Sequence, residues 1–262
     1  MSLSPLLDRL AIGWFGLIGL VVGSFLNVVI YRLPRGYLLS LPRRSVCANC
    51  KKQIRGYENI PIISYLFLGG RCGGCQISIG VRHPFVEALT AVLFVAIYLH
   101  FGFSVLTVYY AFFAAALIAV TFIDLDFRII PDRISILGMV LGLIGAMIHP
   151  ALSASSHVLG LLFGGGVFWL FSFLYLKWTG RDGLGFGDVK LLAMIGAFLG
   201  LQGAIGTLLA SSVIGSIVGL SLMFIQKKDL KMAIPFGPFL AIGALIMLFW
   251  GDSFVLRFYS GE

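Results

Sequence analysis

This sequence has very little charge. Only 11% of its 262 residues are Asp, Glu, Lys or Arg, against about 25% in an ordinary soluble domain. With 59% hydrophobic residues and a mean hydropathy of +1.01, a water-soluble fold of this length lacks the polar surface to cover itself, so its solvent is largely lipid. Carboxylates are scarcer still, at 11. Cysteine occurs four times, always between residues 47 and 75. The four histidines (His83, His100, His149 and His157) are scattered, and no Ser-His or Cys-His pairing offers an activated nucleophile. No inverted repeat relates the two halves, which disfavours a transporter built from symmetric halves around intramembrane carboxylates.

What the sequence has instead is long uncharged runs. Leu10–Tyr31, Ala88–Ile123, Ile134–Leu176, Leu191–Gln226 and Met232–Gly251 contain no Asp, Glu, Lys or Arg. A spanning helix needs about 20 apolar residues. The three middle runs, of 36, 43 and 36 residues, are too long for one straight crossing. Each reads as two helices joined by a turn, at His100-Phe101-Gly102, His149-Pro150 and Gly200-Leu201-Gln202-Gly203, where breakers lie. That gives about eight spans. The first run lacks a convincing small-residue cleavage site, since Ala11-Ile12-Gly13 is not enough, and it reads as a retained helix.

Basic residues orient these spans. Nine lie between Arg32 and Arg82, and further groups fall in alternate loops: Arg128 and Arg133; Lys177, Arg181 and Lys190; Lys227, Lys228 and Lys231. Of the 19 Lys and Arg, Arg9 and Arg257 alone fall on the other side. The positive-inside rule makes the rich side cytoplasmic. The net charge of +8 follows from this bias, and no nucleic-acid partner is expected.

The cysteines form two CxxC pairs, Cys47-Ala48-Asn49-Cys50 and Cys72-Gly73-Gly74-Cys75. Four thiolates at this spacing suit a tetrahedral Zn²⁺. Two disulfides are the alternative, disfavoured in a reducing cytoplasm. Four sulfur ligands leave no open position for water, so the expected metal is structural.

Of the carboxylates, Asp124, Asp126 and Asp132 follow the third span, and Asp188 stands in Gly185-Phe186-Gly187-Asp188. Too few residues separate Asp188 from Gly200 for a span, so its helix begins near or before Asp188, at membrane depth or its edge. A carboxylate there is a functional-site candidate. Asp124 at the end of span three and Asp188 at the start of span six share a depth. Facing carboxylates share a proton, and such a pair can activate water and polarise a carbonyl. Gly185 and Gly187 would let a substrate backbone approach Asp188. The plainer reading keeps these groups as helix caps or dipole partners, with Asp126 or Asp132 paired to Arg128 or Arg133.

The chain resembles the type IV prepilin peptidases, bifunctional leader peptidase/N-methyltransferases. The likeness runs from Gly23 to about Pro238. It rests on Gly23-Ser24-Phe25-Leu26-Asn27 continuing to Pro34, the paired CxxC motifs enclosing Glu58-Asn59-Ile60-Pro61 and Ser64-Tyr65-Leu66, and Arg82-His83-Pro84-Phe85-Val86-Glu87. It continues through Asp124-Leu125-Asp126 with Ile130-Pro131-Asp132, Gly185-Phe186-Gly187-Asp188 and Pro235-Phe236-Gly237-Pro238. The resemblance implies an aspartic mechanism through Asp124 and Asp188. A short basic leader would be cut after glycine from prepilins or pseudopilins at the cytoplasmic membrane face, for pili or type II secretion. It further implies methylation of the new N-terminal residue with S-adenosylmethionine as donor, with Gly70 at a glycine tied to methylation. No glycine-rich methyltransferase fingerprint locates the donor. The expectation is thus an all-α polytopic protein of the bacterial inner membrane, surrounded by lipid. It comprises a first transmembrane helix (1–33), a zinc-ribbon-like cytoplasmic loop carrying the four cysteines between helices one and two (34–84), a transmembrane peptidase core (85–251) and a short periplasmic tail (252–262). The rivals are a proton- or cation-coupled transporter and a non-enzymatic assembly scaffold.

Overall fold

In the computed structural model, residues 5–38, 46–47, 49–149, 152–179, 185–226 and 235–260 are described. Arg43, Arg44, Arg181, Lys227, Lys228, Lys231 and the expected break at Pro150 lie outside them. The elements are helices: α1 (Pro5–Arg32), α2 (Ile63–Phe67), α3 (Arg82–Phe101), α4 (Val105–Phe127), α5 (Asp132–Gly145), α6 (Ala154–Leu162), α7 (Phe168–Thr179), α8 (Phe186–Gln226) and α9 (Gly237–Ser260). A π-helical turn, Phe163–Val167, joins α6 to α7. Strand pairing among the described residues is confined to two isolated bridges, Val46 with Gln53 and Arg71 with Ser78. This is a multi-pass membrane protein. Five helices have the length and apolarity to cross a bilayer, α6 and α7 counting as one. Among the described residues, the division of α8 described below, the shorter apolar helix over Gly237–Gly251 and α5 give a helix count roughly compatible with eight spans.

The chain forms two units, Met1–Ala119 and Val120–Glu262. In the first, α1 packs along α3. Gly19 and Gly23 face α3 so closely that a Cβ on Gly23 would lie 2.6 Å from the Glu87 backbone. Small residues permit such backbone approach in lipid, where apolar burial alone gives no drive. Phe15 stacks on Tyr98 at 4.8 Å, and Tyr98 Oη donates to Asp8 Oδ1 at 3.2 Å. This provides for a charged group within the first turn of α1. The expected break after His100 is a left-handed cap at Gly102, φ +66°, whose N–H donates to Tyr98 O.

In the second unit α8 is central. Its first half packs on α5 through Gly138 against Met194 and Gly142 against Ala197, on α6 through Gly160 against Gly196, and on the π-helical turn through Gly164 against Leu192. The second half packs on α9, with Gly206 against Met247, Gly243 against Thr207 and Ser211, and Gly215 against Phe236 and Phe239. Between the halves stands Gly200, at φ +71° and ψ −176°, which a side chain would strain. Such a break frees backbone groups inside lipid, where each needs a partner. Ser156 Oγ accepts the Leu201 N–H at 3.3 Å, and His157 Nδ1 bonds Ala197 O at 2.8 Å. His157, which no sequence motif absorbs, thus satisfies the helix break.

The second half of α8 and α9 run antiparallel. Residues 206, 211 and 215 meet 247, 243 and 239 in turn, so α8 descends toward the start of α9. Gly215 therefore lies beside the start of α9.

Candidate active site

α4 ends three residues after Asp124. Arg128, at φ +56°, closes it by donating its N–H to Asp124 O at 2.8 Å, and Pro131 then opens α5 in an extended conformation. Asp124 is buried, at 5% exposure. A carboxylate so buried needs hydrogen-bond donors, and the N–H of Gly237 supplies one at 3.0 Å to Oδ2. Because Gly237 opens α9, that N–H is among the donors a helix start leaves unpaired. A Cβ on Gly237 would lie 2.6 Å from Asp124 Oδ2, so only glycine allows this approach.

Asp188 stands in the first turn of α8, half-buried. Its N–H donates to Gly185 O at 2.9 Å. Its neighbour Gly187 packs against Ile130, six residues past Asp124 in the chain. Asp124 at the end of α4 and Asp188 at the start of α8 stand in the same unit, 64 positions apart in the chain (124 to 188).

Both flanking glycines are closely approached. A Cβ on Gly187 would meet Ile130 at 3.0 Å, so this glycine admits the 130–132 segment rather than facing open space. Gly185 stands against Asp188 itself, and a Cβ added to it would lie 3.2 Å from Oδ2. Asp132 pairs with Lys190 Nζ at 2.6 Å, not with Arg128 or Arg133, because the Gly187–Ile130 contact sets the starts of α5 and α8 side by side. Lys190 also lies over the Phe186 ring, 4.7 Å from its centroid.

The cysteines in the first unit form two matching knuckles. Cys47 N donates to Lys52 O at 2.9 Å and Lys51 N to Cys47 O at 3.0 Å; Cys72 N donates to Ile77 O at 2.9 Å and Gln76 N to Cys72 O at 3.0 Å. The residue after each CxxC, Lys51 and Gln76, turns at φ +58°. The four Sγ atoms lie within 4.8 Å of one another, with Cys47–Cys75 at 3.8 Å and Cys50–Cys72 at 4.0 Å. Disulfides need about 2.05 Å, whereas sulfurs around a tetrahedral Zn²⁺ at about 2.3 Å stand about 3.8 Å apart. The cluster fits such an ion. The Cys75 thiol is lowered to about 6, first by the Ile77 N–H and then by Asn49, and the Cys47 thiol is lowered chiefly by the Cys50 and Asn49 amides. At these two positions the thiolate, the form that binds metal, is favoured, whereas the Cys50 thiol, despite the Lys52 amide, is pushed up to about 11 by burial and the three neighbouring thiols.

The loop holds polar partners that spacing did not reveal. Glu58 accepts from Arg55 N at 2.8 Å and pairs with Lys52 at 3.1 Å. A Cβ on Gly73 would lie 2.7 Å from Glu58 Oε1, and one on Gly74 2.8 Å from Lys52 Cδ, which explains the two glycines of the second CxxC. Glu87, buried on α3, accepts the Ile62 N–H at 2.8 Å and so secures a β-branched residue at φ +59°, a rare conformation for its type. Gly70, at φ +68°, lies under the Tyr65 ring, where a Cβ would come within 3.0 Å of Cζ.

Comparison with known proteins settles the lineage. The family model described as Bacterial Peptidase A24 N-terminal domain matches residues 17–101, and that described as Type IV leader peptidase family matches residues 111–220. A Prepilin leader peptidase/N-methyltransferase of Pseudomonas aeruginosa is 39% identical, over 95% of this chain and 96% of its own. The chain belongs to the type IV leader peptidase family. Likewise named relatives from Aeromonas hydrophila (39% identity, 93% of this chain, 91% of theirs) and Neisseria gonorrhoeae (36%, 97% and 95%) extend the match. No solved structure matches. In this family member Asp124 and Asp188 sit within the second matched region and the four cysteines within the first.

Proposed function

We propose that this protein is an intramembrane aspartic endopeptidase of the bacterial inner membrane. It removes the short basic leader from type IV prepilins or pseudopilins after glycine, at the cytoplasmic face, and then N-methylates the new terminus with S-adenosylmethionine. The observation that carries the reading is the buried Asp124, anchored by the Gly237 amide; Asp188, next to the Gly187–Ile130 contact, is its proposed partner.

Asp124 and Asp188 are the catalytic residues of this reading. Two carboxylates so placed hold one proton between them. The ionised member takes a proton from water, whose oxygen attacks the carbonyl carbon of the scissile bond. The protonated member donates to the carbonyl oxygen. When the tetrahedral intermediate collapses, the carbon–nitrogen bond breaks and a proton passes to the leaving amine. Gly185 supports the site by leaving space against Asp188. A precursor with its cut site at the membrane face and an apolar helix beyond it presents the bond at this depth without drawing a polar segment through lipid.

Zn²⁺ held by Cys47, Cys50, Cys72 and Cys75 is structural and orders residues 34–84, the cytoplasmic loop of this reading. Gly70, beside Tyr65, is the candidate methylation-linked position. The deciding experiment incubates purified protein with a prepilin in detergent, with and without S-adenosylmethionine, and measures mass. Loss of the leader, plus a methyl group when the donor is present, is expected. A transporter or scaffold leaves the precursor intact.

A further inference from the structure

An open, groove-like cavity of about 300 Å³ lies in the second unit, lined by Ser212, Gly215 and Ser216 of α8, the two serines exposed, and by Phe236 and Phe239. Its place in the fold ties it to the carboxylates. Phe236 directly precedes Gly237, whose N–H holds Asp124, and Phe236 O accepts the N–H groups of Phe239 and Leu240 in the first turn of α9. Gly215 stands against the Phe236 ring, one residue in the chain from the Gly237 amide.

The lining states what it accepts. None of the five residues is charged, so a basic leader finds no counter-ion here. Ser216 Oγ is bonded within its own helix, to Ser212 O at 2.7 Å, which leaves a floor of small groups. Such a floor lets a second helix approach closely in lipid. The wall is aromatic, the Phe236 and Phe239 rings standing 6.2 Å apart and tilted 48°, and large apolar side chains pack well on such rings. We propose that this cavity seats the first turn of the substrate's apolar helix, immediately beyond the cut, and so holds the scissile bond beside Asp124 and Asp188. The inference rests on the peptidase reading and adds a substrate-positioning surface to it.

The test measures cleavage of a prepilin in detergent by the full-length protein with Gly215 replaced by Ala, Val and Leu. A Cβ on Gly215 stands 3.5 Å from both Phe rings, in ordinary contact, so the helix keeps its packing while each larger side chain fills more of the cavity. KM should climb with side-chain size, by about tenfold at Leu, with kcat within about threefold, the pattern of lost substrate binding. Leu209→Phe, on an exposed position of the same helix, should leave KM unchanged. A precursor whose first helical turn is cut back to Ala should recover KM with Gly215→Leu. Independently, a photoreactive residue at 216 in Asp124→Asn protein should crosslink to that first turn of the precursor. Unchanged KM across the Gly215 series, or crosslinks confined to lipid, to a second copy of this chain or to the leader, overturns the assignment while the peptidase reading stands. A wild-type protein that never cuts the precursor removes both.

Discussion

The cysteine knuckles and the carboxylate pair are assembled by different means. The backbone bonds that turn each knuckle join residues four or five apart, from Cys47 to Lys51 and Lys52 and from Cys72 to Gln76 and Ile77. Only the closing of one knuckle on the other spans the loop. The carboxylate site gathers Asp124, Asp188 and Gly237 from α4, α8 and α9, and the hydrogen bond that anchors Asp124 reaches across 113 positions. The knuckles lie largely in water and depend on four like ligands. The carboxylates lie where water is scarce, and a buried polar group costs about 1–3 kcal/mol if its partner is lost. A change at the cysteines should therefore loosen one loop. A change at the carboxylates should stop chemistry with the fold intact.

The largest effect should follow from removing either carboxylate. Asp124→Asn and Asp188→Asn are each expected to lower cleavage by about 10³-fold or more, since groups acting as a unit fail together. Asn keeps the size, so membrane levels should stay near normal. Asp126→Asn and Asp132→Asn are the comparison: the Asp132–Lys190 pair has a largely exposed Asp132 side chain, and such pairs contribute about 0–1 kcal/mol. Processing of a prepilin at matched enzyme level decides. Cleavage surviving in Asp124→Asn but not in Asp126→Asn would move the site by half a helical turn.

A smaller loss should follow Gly237→Ala. The added methyl must push Asp124 Oδ2 away from its 2.6 Å approach and lengthen the bond that positions it. About 10–100-fold lower kcat is expected from misplacing a catalytic group. Normal kcat in this variant would show that the amide merely packs there.

These sites differ equally in how far the amino-acid sequence reveals them. Two CxxC pairs carry their own geometry, because four residues of spacing determine where two sulfurs point. The apolar segments follow from run length and from breakers at Gly102 and Gly200, since lipid forces backbone groups to pair within helices. Asp124 and Asp188 are legible as expensive charges at shared depth. Gly237 is not, although its motif stands in plain view, because nothing local says that its N–H meets a residue 113 positions away. The pairing of Asp132 with Lys190 is hidden for the same reason, as Arg128 and Arg133 are nearer in sequence. Glu87 and Ile62 likewise meet across 25 positions, through a strained turn no propensity favours.

Cys72→Ser tests the other side of the comparison. Loss of one thiolate should release the metal, read by elemental analysis, and expose the loop to protease. Methylation is expected to fall about tenfold or more and cleavage less, because the ligands lie outside the hydrolytic pair, and metal binding is coupled to local folding. Equal loss of both activities in a stably inserted variant would mean that the loop also builds the peptidase site.

The smallest effect concerns Glu58, which sits between the knuckles. Its carboxyl is held below the ordinary carboxylate range, first by the Arg55 N–H and next by the Lys52 ammonium. For a group whose folded value is depressed, the stabilisation is present above the unfolded value, about 4.3, and fades as pH falls through the folded one. At neutral pH the contribution is complete, so a change between pH 8 and 6 in loop protection must come from other groups. Carbon-13 titration of the Glu58 carboxyl should give a midpoint below that of a free glutamate. Lys52→Ala should return it only part of the way, because the backbone donor remains. A midpoint restored fully by Lys52→Ala would make the ammonium the dominant partner and the turn at Arg55 incidental. The knuckle region would then depend on a solvent-screened ion pair rather than on a hydrogen bond built into its own backbone.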